Sequence, residues 1–157
     1  MKKITYNFKD RTAVITGGAQ GFGLDIAKRF LDSGAKVIIW DMDAEMTDKA
    51  IKDLNNPNLS SNKIDVSNFK EVQECNNEIL KKTNIDILIN NAGITGPTAA
   101  LWEYDIEMWK KVVDINLMGT FNCCRAIVPN MIKKNYGRIV NVASVAGKDG
   151  NANASAY

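Results

Sequence analysis

The chain has 157 residues, with 20 basic and 18 acidic side chains and a formal charge of +2. At 17.3 kDa it is long enough for one domain, which would bury roughly 70% of the surface that the unfolded chain exposes. Both signs of charge are interspersed throughout, so no basic stripe or tail points to nucleic acid or to an anionic membrane as a partner. The lack of histidine removes the commonest metal ligand and the commonest general base, and with them zinc hydrolases and Ser-His-Asp hydrolases.

Met1-Lys2-Lys3 has the charge of a signal-peptide start, but Ile4 to Arg11 supplies no apolar run behind it. No stretch is long and apolar enough to span a bilayer. Cys75, Cys123 and Cys124 are odd in number and match neither a disulfide framework nor a metal-ligand spacing. They read as reduced thiols, which sets the expectation of a cytoplasmic protein with no metal site.

In chain order, Thr12 to Thr16 is a short β-rich run and the first expected strand. Leu24, Ala27, Phe30 and Leu31 then repeat at helical spacing up to Gly34, which suits the residue just past a helix end. Val37 to Trp40 is wholly apolar, as a buried parallel strand should be, and runs into Asp41. A polar helix is expected from about Ala44 to Leu54, and a weak third strand over Lys63 to Val66. Ser67 is the expected cap of the next helix, whose Val72, Cys75 and Ile79 share a face. Ile85 to Ile89 is a strong fourth strand running into Asn90-Asn91-Ala92-Gly93. After a loop with Gly96-Pro97, one long helical region is expected from about Asp105 to Lys134, and a fifth strand over Arg138 to Val142. Trp109, beside Val112 and Val113, reads as core or interface packing. Lys133, Lys134 and Arg138 read as a solvated helix end and turn.

Strands alternating with helices, without repeats or a linker, argue for a single α/β domain built on a doubly wound parallel sheet. Such sheets bind ligands beyond the carboxyl ends of their strands. Gly17 to Gly23, Asp41, Asp65, Asn90 to Gly93 and Ser144 all fall at expected strand carboxyl ends. Loops collect glycine and polar residues anyway, but five such coincidences are poorly explained that way. The turn Thr16-Gly17-Gly18-Ala19-Gln20-Gly21-Phe22-Gly23 departs from G-x-G-x-x-G, yet the same mechanics are open to it. Gly17 and Gly21 would allow a sharp turn close to a pyrophosphate, and Gly23 would let a helix pack near the sheet with its amides at the anion. Asp41 stands at the tip of the second strand, where a carboxylate meets the adenosine ribose. Such a group accepts from the 2′-hydroxyl and repels a 2′-phosphate, so NAD is expected ahead of NADP. Asp65-Val66 could offer a carboxylate and an apolar wall to adenine. Asn90 and Asn91 could join neighbouring strands through their amides, and Gly93 would let backbone pass near a cofactor. Tyr157 and Ser144 are the chemical candidates: a phenol can pass a proton to a carbonyl, and a hydroxyl can hold the substrate oxygen.

On these motifs the chain resembles the short-chain dehydrogenase/reductase family from about Phe8 to its last residue. Thr16-Gly17-x-x-x-Gly21-x-Gly23 is similar to that family's cofactor turn, which also takes in Gln20 and Phe22, and Asn90-Asn91-Ala92-Gly93 to its N-N-A-G motif. Within the family, Gly93 to Pro97 and Gly137 to Gly147 are similar to 3-oxoacyl-acyl-carrier-protein reductases and to sugar or polyol dehydrogenases. The resemblance implies a Rossmann-like fold and an NAD(P)-dependent interconversion of a secondary alcohol and a ketone. It implies Tyr157 as general acid/base, Ser144 as the group orienting the substrate oxygen, Asn116 as the holder of a water in a proton relay, and Asp65, Val66, Asn91 and Ala92 as cofactor contacts. The partners it implies are a small carbonyl or alcohol substrate and, for a full-length enzyme, further copies of itself.

The family pattern is Y-x-x-x-K, and the position four residues after Tyr157 lies past the last residue of the chain. That lysine lowers the pKa of the tyrosine, and an unaided phenol titrates near ~10. The expectation is therefore a dinucleotide-binding domain truncated after its fifth strand, C-terminally and catalytically incomplete, with strand five left as an uncovered edge. A non-catalytic NAD-binding protein and a truncated remnant are the alternatives from other classes.

Overall fold

The computed structural model describes residues 6–157, so the charged start Met1-Lys2-Lys3 lies outside the described residues. Five strands form one parallel sheet: β1 (Thr12–Thr16), β2 (Lys36–Asp41), β3 (Leu59–Lys63), β4 (Ile87–Asn90) and β5 (Arg138–Asn141), in the order β3-β2-β1-β4-β5. Between them run helices α1 (Gly21–Asp32), α2 (Ala44–Leu54), α3 (Phe69–Leu80), α4 (Ile106–Val113) and α5 (Gly119–Lys133), and a short α6 (Ala146–Asp149) follows β5. This is the doubly wound, Rossmann-like α/β sheet expected from the alternation of apolar runs and helical patterns.

Alternate residues of each central strand serve opposite layers, as the two-residue side-chain period of a strand requires. Ala13 and Ile15 of β1, with Val37, Ile39, Ile87 and Ile89, pack with Ala27 and Leu31 of α1. Val14, Ile38, Trp40 and Leu88 face the other way, onto Val72 and Ile79 of α3 and Cys123, Ile127 and Met131 of α5. The three inner strands are therefore apolar on both faces, while β3 and β5 are edges and β5 is exposed at every residue.

Local chemistry sets the helix ends. Gly34, at φ 87°, ends α1 in a Schellman arrangement, its amide donating to Leu31 O while that of Ala35 donates to Phe30 O. Asp43, Asn68 and Asp105 cap α2, α3 and α4 by accepting first-turn amides. Asn68 replaces Ser67 as the cap of α3, because its carbonyl oxygen takes the amides of Lys70 and Glu71 while Ser67 turns back to Asp65. The third strand also lies earlier than Lys63 to Val66. Leu59 to Lys63 pairs with β2, and Ile64 to Val66 is a loop closing over the end of the sheet, an outcome the polar sequence of β3 hides from a hydrophobicity reading. The long helix spans the expected range between Asp105 and Lys134, but its middle, Asp114–Met118, is a π-helical turn in which Gly119 N donates five residues back to Asp114 O. Trp109 is exposed and outside the core, Trp102 is 86% exposed, and Trp40 is fully buried.

Burial pushes the Cys75 thiol up to about 11, against the opposing pull of the Trp40 indole, and pushes Cys123 up to about 12 with a smaller contribution from Cys124. Both stay protonated in the folded chain at pH values where an unfolded thiol ionises, so unfolding there releases protons. Their contribution is whole below about pH 8.5 and is lost as pH rises toward the folded values. Urea unfolding between pH 7 and 11 should show stability falling above about pH 8.5, with a shallower fall in Cys75→Ala/Cys123→Ala.

Candidate functional site

The strand order reverses between β1 and β4, and a crevice opens there because the chain leaves those strands toward opposite faces of the sheet. Thr16, 2% exposed at the end of β1, holds the two strand ends together. Its Oγ1 accepts the amides of Asn91 and Ala92, both at 3.0 Å, and donates to Ile89 O at 3.4 Å. Asn91 answers with Nδ2, which donates to Thr16 O at 3.0 Å and Gly17 O at 2.9 Å. Asn90 works in the other direction, donating from Nδ2 to Asn141 Oδ1 at 2.8 Å and so tying β4 to β5. The two adjacent amides thus join neighbouring strands in the manner anticipated from their sequence.

Gly17 and Gly21 take left-handed φ of 60° and 53°, which a side chain would resist. At Gly23 the constraint is contact: a Cβ would collide with Gly17 O and lie 2.6 Å from Asn91 Nδ2. The first turn of α1 can therefore sit against the strand end. No side chain caps α1, in contrast to α2, α3 and α4. Asp41 curls over the turn, Oδ2 accepting Ala19 N and Oδ1 accepting Asp43 N, each at 3.0 Å.

A cleft of ≈ 390 Å³ lies beyond these strand ends and is lined by Gly17, Gln20, Asp41, Asp65, Val66, Asn91, Ala92 and Gly93, together with Trp40, Met42, Asp43, Ile64, Ile94 and Ile115. Eight of the eleven expected cofactor residues thus share one cavity. Gly21, Phe22 and Gly23 stand outside its lining, and Phe22 is largely exposed on the first turn of α1. Asp65 Oδ1 accepts from Ser67 N and Oγ at 2.9 and 2.7 Å, holding the loop in a tight turn.

The three expected catalytic residues do not line this cleft. Asn116, in the π turn, clamps the loop after Gly93: Oδ1 accepts Ile94 N and Nδ2 donates to Ile94 O, both at 2.9 Å. Its side chain is thereby committed to backbone. Ser144 Oγ accepts Ala146 N at 3.2 Å. Tyr157 is 42% exposed, and no hydrogen bond among the described residues joins it to Ser144 or Asn116. The segment before it is tied back, since Ala99 N donates to Asn153 O at 2.9 Å. Among the described residues no cluster of three or more His, Cys, Asp or Glu could hold a metal ion, and no helix is long and apolar enough to cross a membrane.

Sequence reasoning passed over Thr16 as more than a strand end, and over Asn122, whose buried Nδ2 donates to Val66 O and Ser67 O. A hydroxyl directly after the apolar run Ala13 to Ile15 and just before a glycine turn was the available signal for Thr16. Nothing local marks Asn122, because its partners lie more than 50 residues away.

A family profile described as short chain dehydrogenase matches residues 11–157. The chain belongs to the short-chain dehydrogenase family. It is 40% identical over 151 residues to a 2-dehydro-3-deoxy-L-rhamnonate dehydrogenase (NAD(+)) of Sphingomonas sp. (strain SKA58), across 96% of this chain and 60% of that protein. To a 3-oxoacyl-[acyl-carrier-protein] reductase of Rickettsia typhi it is also 40% identical, across 96% of this chain and 61% of that one. Among solved structures, an NAD+-bound xylitol dehydrogenase superposes with a TM-score of 0.89 at 32% identity, covering 96% of this chain and 59% of that one. The chain thus spans about 60% of the length of the relatives it matches.

Replacing Thr16 by valine keeps the shape but strands the amides of Asn91 and Ala92 without their acceptor. A buried donor left unpaired costs about 1–3 kcal/mol. Urea denaturation of Thr16→Val should show a loss of about 2 kcal/mol or more, and faster amide exchange at Asn91 and Ala92 than at β2 should accompany it.

Proposed function

We propose that this chain is a dinucleotide-binding domain, C-terminally incomplete, of an oxidoreductase that interconverts a secondary alcohol and a ketone with NAD in preference to NADP. The observation that carries the reading is the gathering of eight expected cofactor residues around one cleft at the strand-order reversal. The residues present fit such a cofactor. Gly17 and Gly23 leave backbone where a Cβ would clash, and the N-terminus of α1, without a side-chain cap, offers amides and the positive end of its dipole to a pyrophosphate. The names of relatives similar to this chain, a rhamnonate-derivative dehydrogenase (NAD(+)), a 3-oxoacyl reductase and an NAD+-bound xylitol dehydrogenase, support the same class.

In this reading a bound nicotinamide dinucleotide supplies or accepts the hydride. Gly17, Gln20, Gly21, Phe22 and Gly23 form the pyrophosphate turn. Asp41, its carboxylate oriented by the amides of Ala19 and Asp43, accepts from the adenosine ribose and repels a 2′-phosphate. Asp65 and Val66 hold the adenine end, while Asn91, Ala92 and Gly93 form the floor. Tyr157 gives or takes the proton at the substrate oxygen, Ser144 orients that oxygen, and Asn116 supports the proton relay through the loop that it clamps. The free thiols of Cys75, Cys123 and Cys124 support a cytoplasmic setting. Exposed Trp102, Ile106, Leu117 and Phe121 support self-association of the whole enzyme.

Isothermal titration with NAD and NADP tests the cofactor assignment: Asp41→Ala should weaken NAD binding by about tenfold, the scale of a lost charge-assisted hydrogen bond, with a smaller change for NADP. Equal losses would sink the ribose assignment. These 157 residues should bind NAD by themselves, because the cleft that carries the reading is lined entirely by residues between Gly17 and Ile115. A titration that shows no NAD binding would overturn that expectation.

A further inference from the structure

We infer that Asn122 is a positioning residue for the adenine end of the cleft, and that the helical run through the π turn and α5 fixes the separation of the cleft's two lips. The inference rests on the dinucleotide reading and deepens it. Asn122 is only 5% exposed and sits on α5, facing the loop after β3. Its Nδ2 donates to Val66 O at 3.0 Å and Ser67 O at 3.1 Å, so the amide satisfies two consecutive carbonyls of a loop that has no strand partner there. Gly119, on the same helix, lets Val66 lie directly on the helix backbone: a Cβ at Gly119 would come within 2.6 Å of Val66 Cγ2. One hydrogen-bonding residue and one missing side chain therefore decide where Val66 stands.

The same run grips the opposite lip. Asn116 holds Ile94 by two hydrogen bonds, and both Ile94 and Val66 line the cleft. Neither clamp touches the glycine turn, which is held by Thr16 and Asn91. The pyrophosphate subsite is thus built on β1 and β4, and the adenine wall is hung from α5. Loss of the Asn122 amide should move the wall and leave the turn in place.

The test is competition against NADH fluorescence by the two half-cofactors, AMP and NMN, with the purified chain, Asn122→Leu and Gly119→Ala. Leucine keeps the volume and removes both donors, whereas alanine pushes the Val66 side chain away and keeps the donors of Asn122. Asn122→Leu should weaken AMP by about tenfold, as expected for unpaired buried carbonyls. Gly119→Ala should weaken it by a similar factor through displacement of the Val66 side chain, and each should change NMN by no more than about twofold. Circular dichroism melts identify a variant that fails to fold, and if Asn122→Leu does so, Gly119→Ala decides. Unchanged AMP affinity in folded variants overturns the inference and leaves the dinucleotide reading standing. Parallel loss of AMP and NMN also overturns it, because that marks a general loosening of the domain. A wild-type chain that binds neither NADH nor AMP overturns the dinucleotide reading itself.

Discussion

The junction of β1 with β4 rests on one hydroxyl. A parallel sheet that reverses its strand order must leave two neighbouring strand ends uncovered, since the chain departs from them toward opposite faces. Backbone amides just past those ends have no ladder partner, and a buried amide without an acceptor is costly. Thr16 resolves the conflict by accepting from Asn91 and Ala92 at once, and Asn91 returns two bonds to the β1 side. With the gap between strands fixed, Gly17 can turn sharply and Gly23 can bring α1 against the turn, so that Gly17 and Gln20 line the cleft. Every feature of the cleft floor follows from that closure.

The cleft walls obey a different logic. They are loops, and each is held by a polar side chain that comes from elsewhere in the chain. Asp41 is aimed by the amides of Ala19 and Asp43, the Ile94 loop hangs on Asn116, and the Val66 loop on Asn122. The π turn at Asp114–Met118 belongs to the same pattern. A regular helix through this region would change the angle about the helix axis between Asn116 and Asn122. Polar side chains in these places, buried at Asn122 and partly buried at Asp41 and Asn116, limit the freedom of the loops while leaving the apolar layers of α3 and α5 intact.

The described surface divides unevenly. One side of the sheet ends at β3, a short polar edge, and the other at β5, where Ile139 and Val140, with Val142 just beyond the strand, are exposed. An apolar exposed edge is a liability unless something covers it. The relatives that this chain matches are longer, the chain spanning about 60% of them, and the exposed apolar residues of β5 and of the α4 to α5 run mark where the described fold is unpartnered.

The sequence by itself determined the class of fold and the place of the cleft. Apolar runs of strand length at β1, β2 and β4 can only be buried on both faces, and glycine and polar residues right after them mark the carboxyl ends where a doubly wound sheet binds ligands. These are local signals, readable within a few residues, and so are the helix ends at Gly34 and Asp105. It was the tertiary structure that moved β3 off Lys63 to Val66, because β3 is an edge whose polar residues need no apolar pattern and whose place is set by pairing with β2. Ser67 lost the cap to Asn68 for a related reason, its hydroxyl being engaged by Asp65. Tertiary structure alone also gave Thr16, Asn116 and Asn122 their work, since each bonds to backbone that lies far away in sequence and is brought near only when the sheet closes. Hydrophobic period is written along the chain, whereas the satisfaction of a buried polar group is decided by what the fold sets beside it.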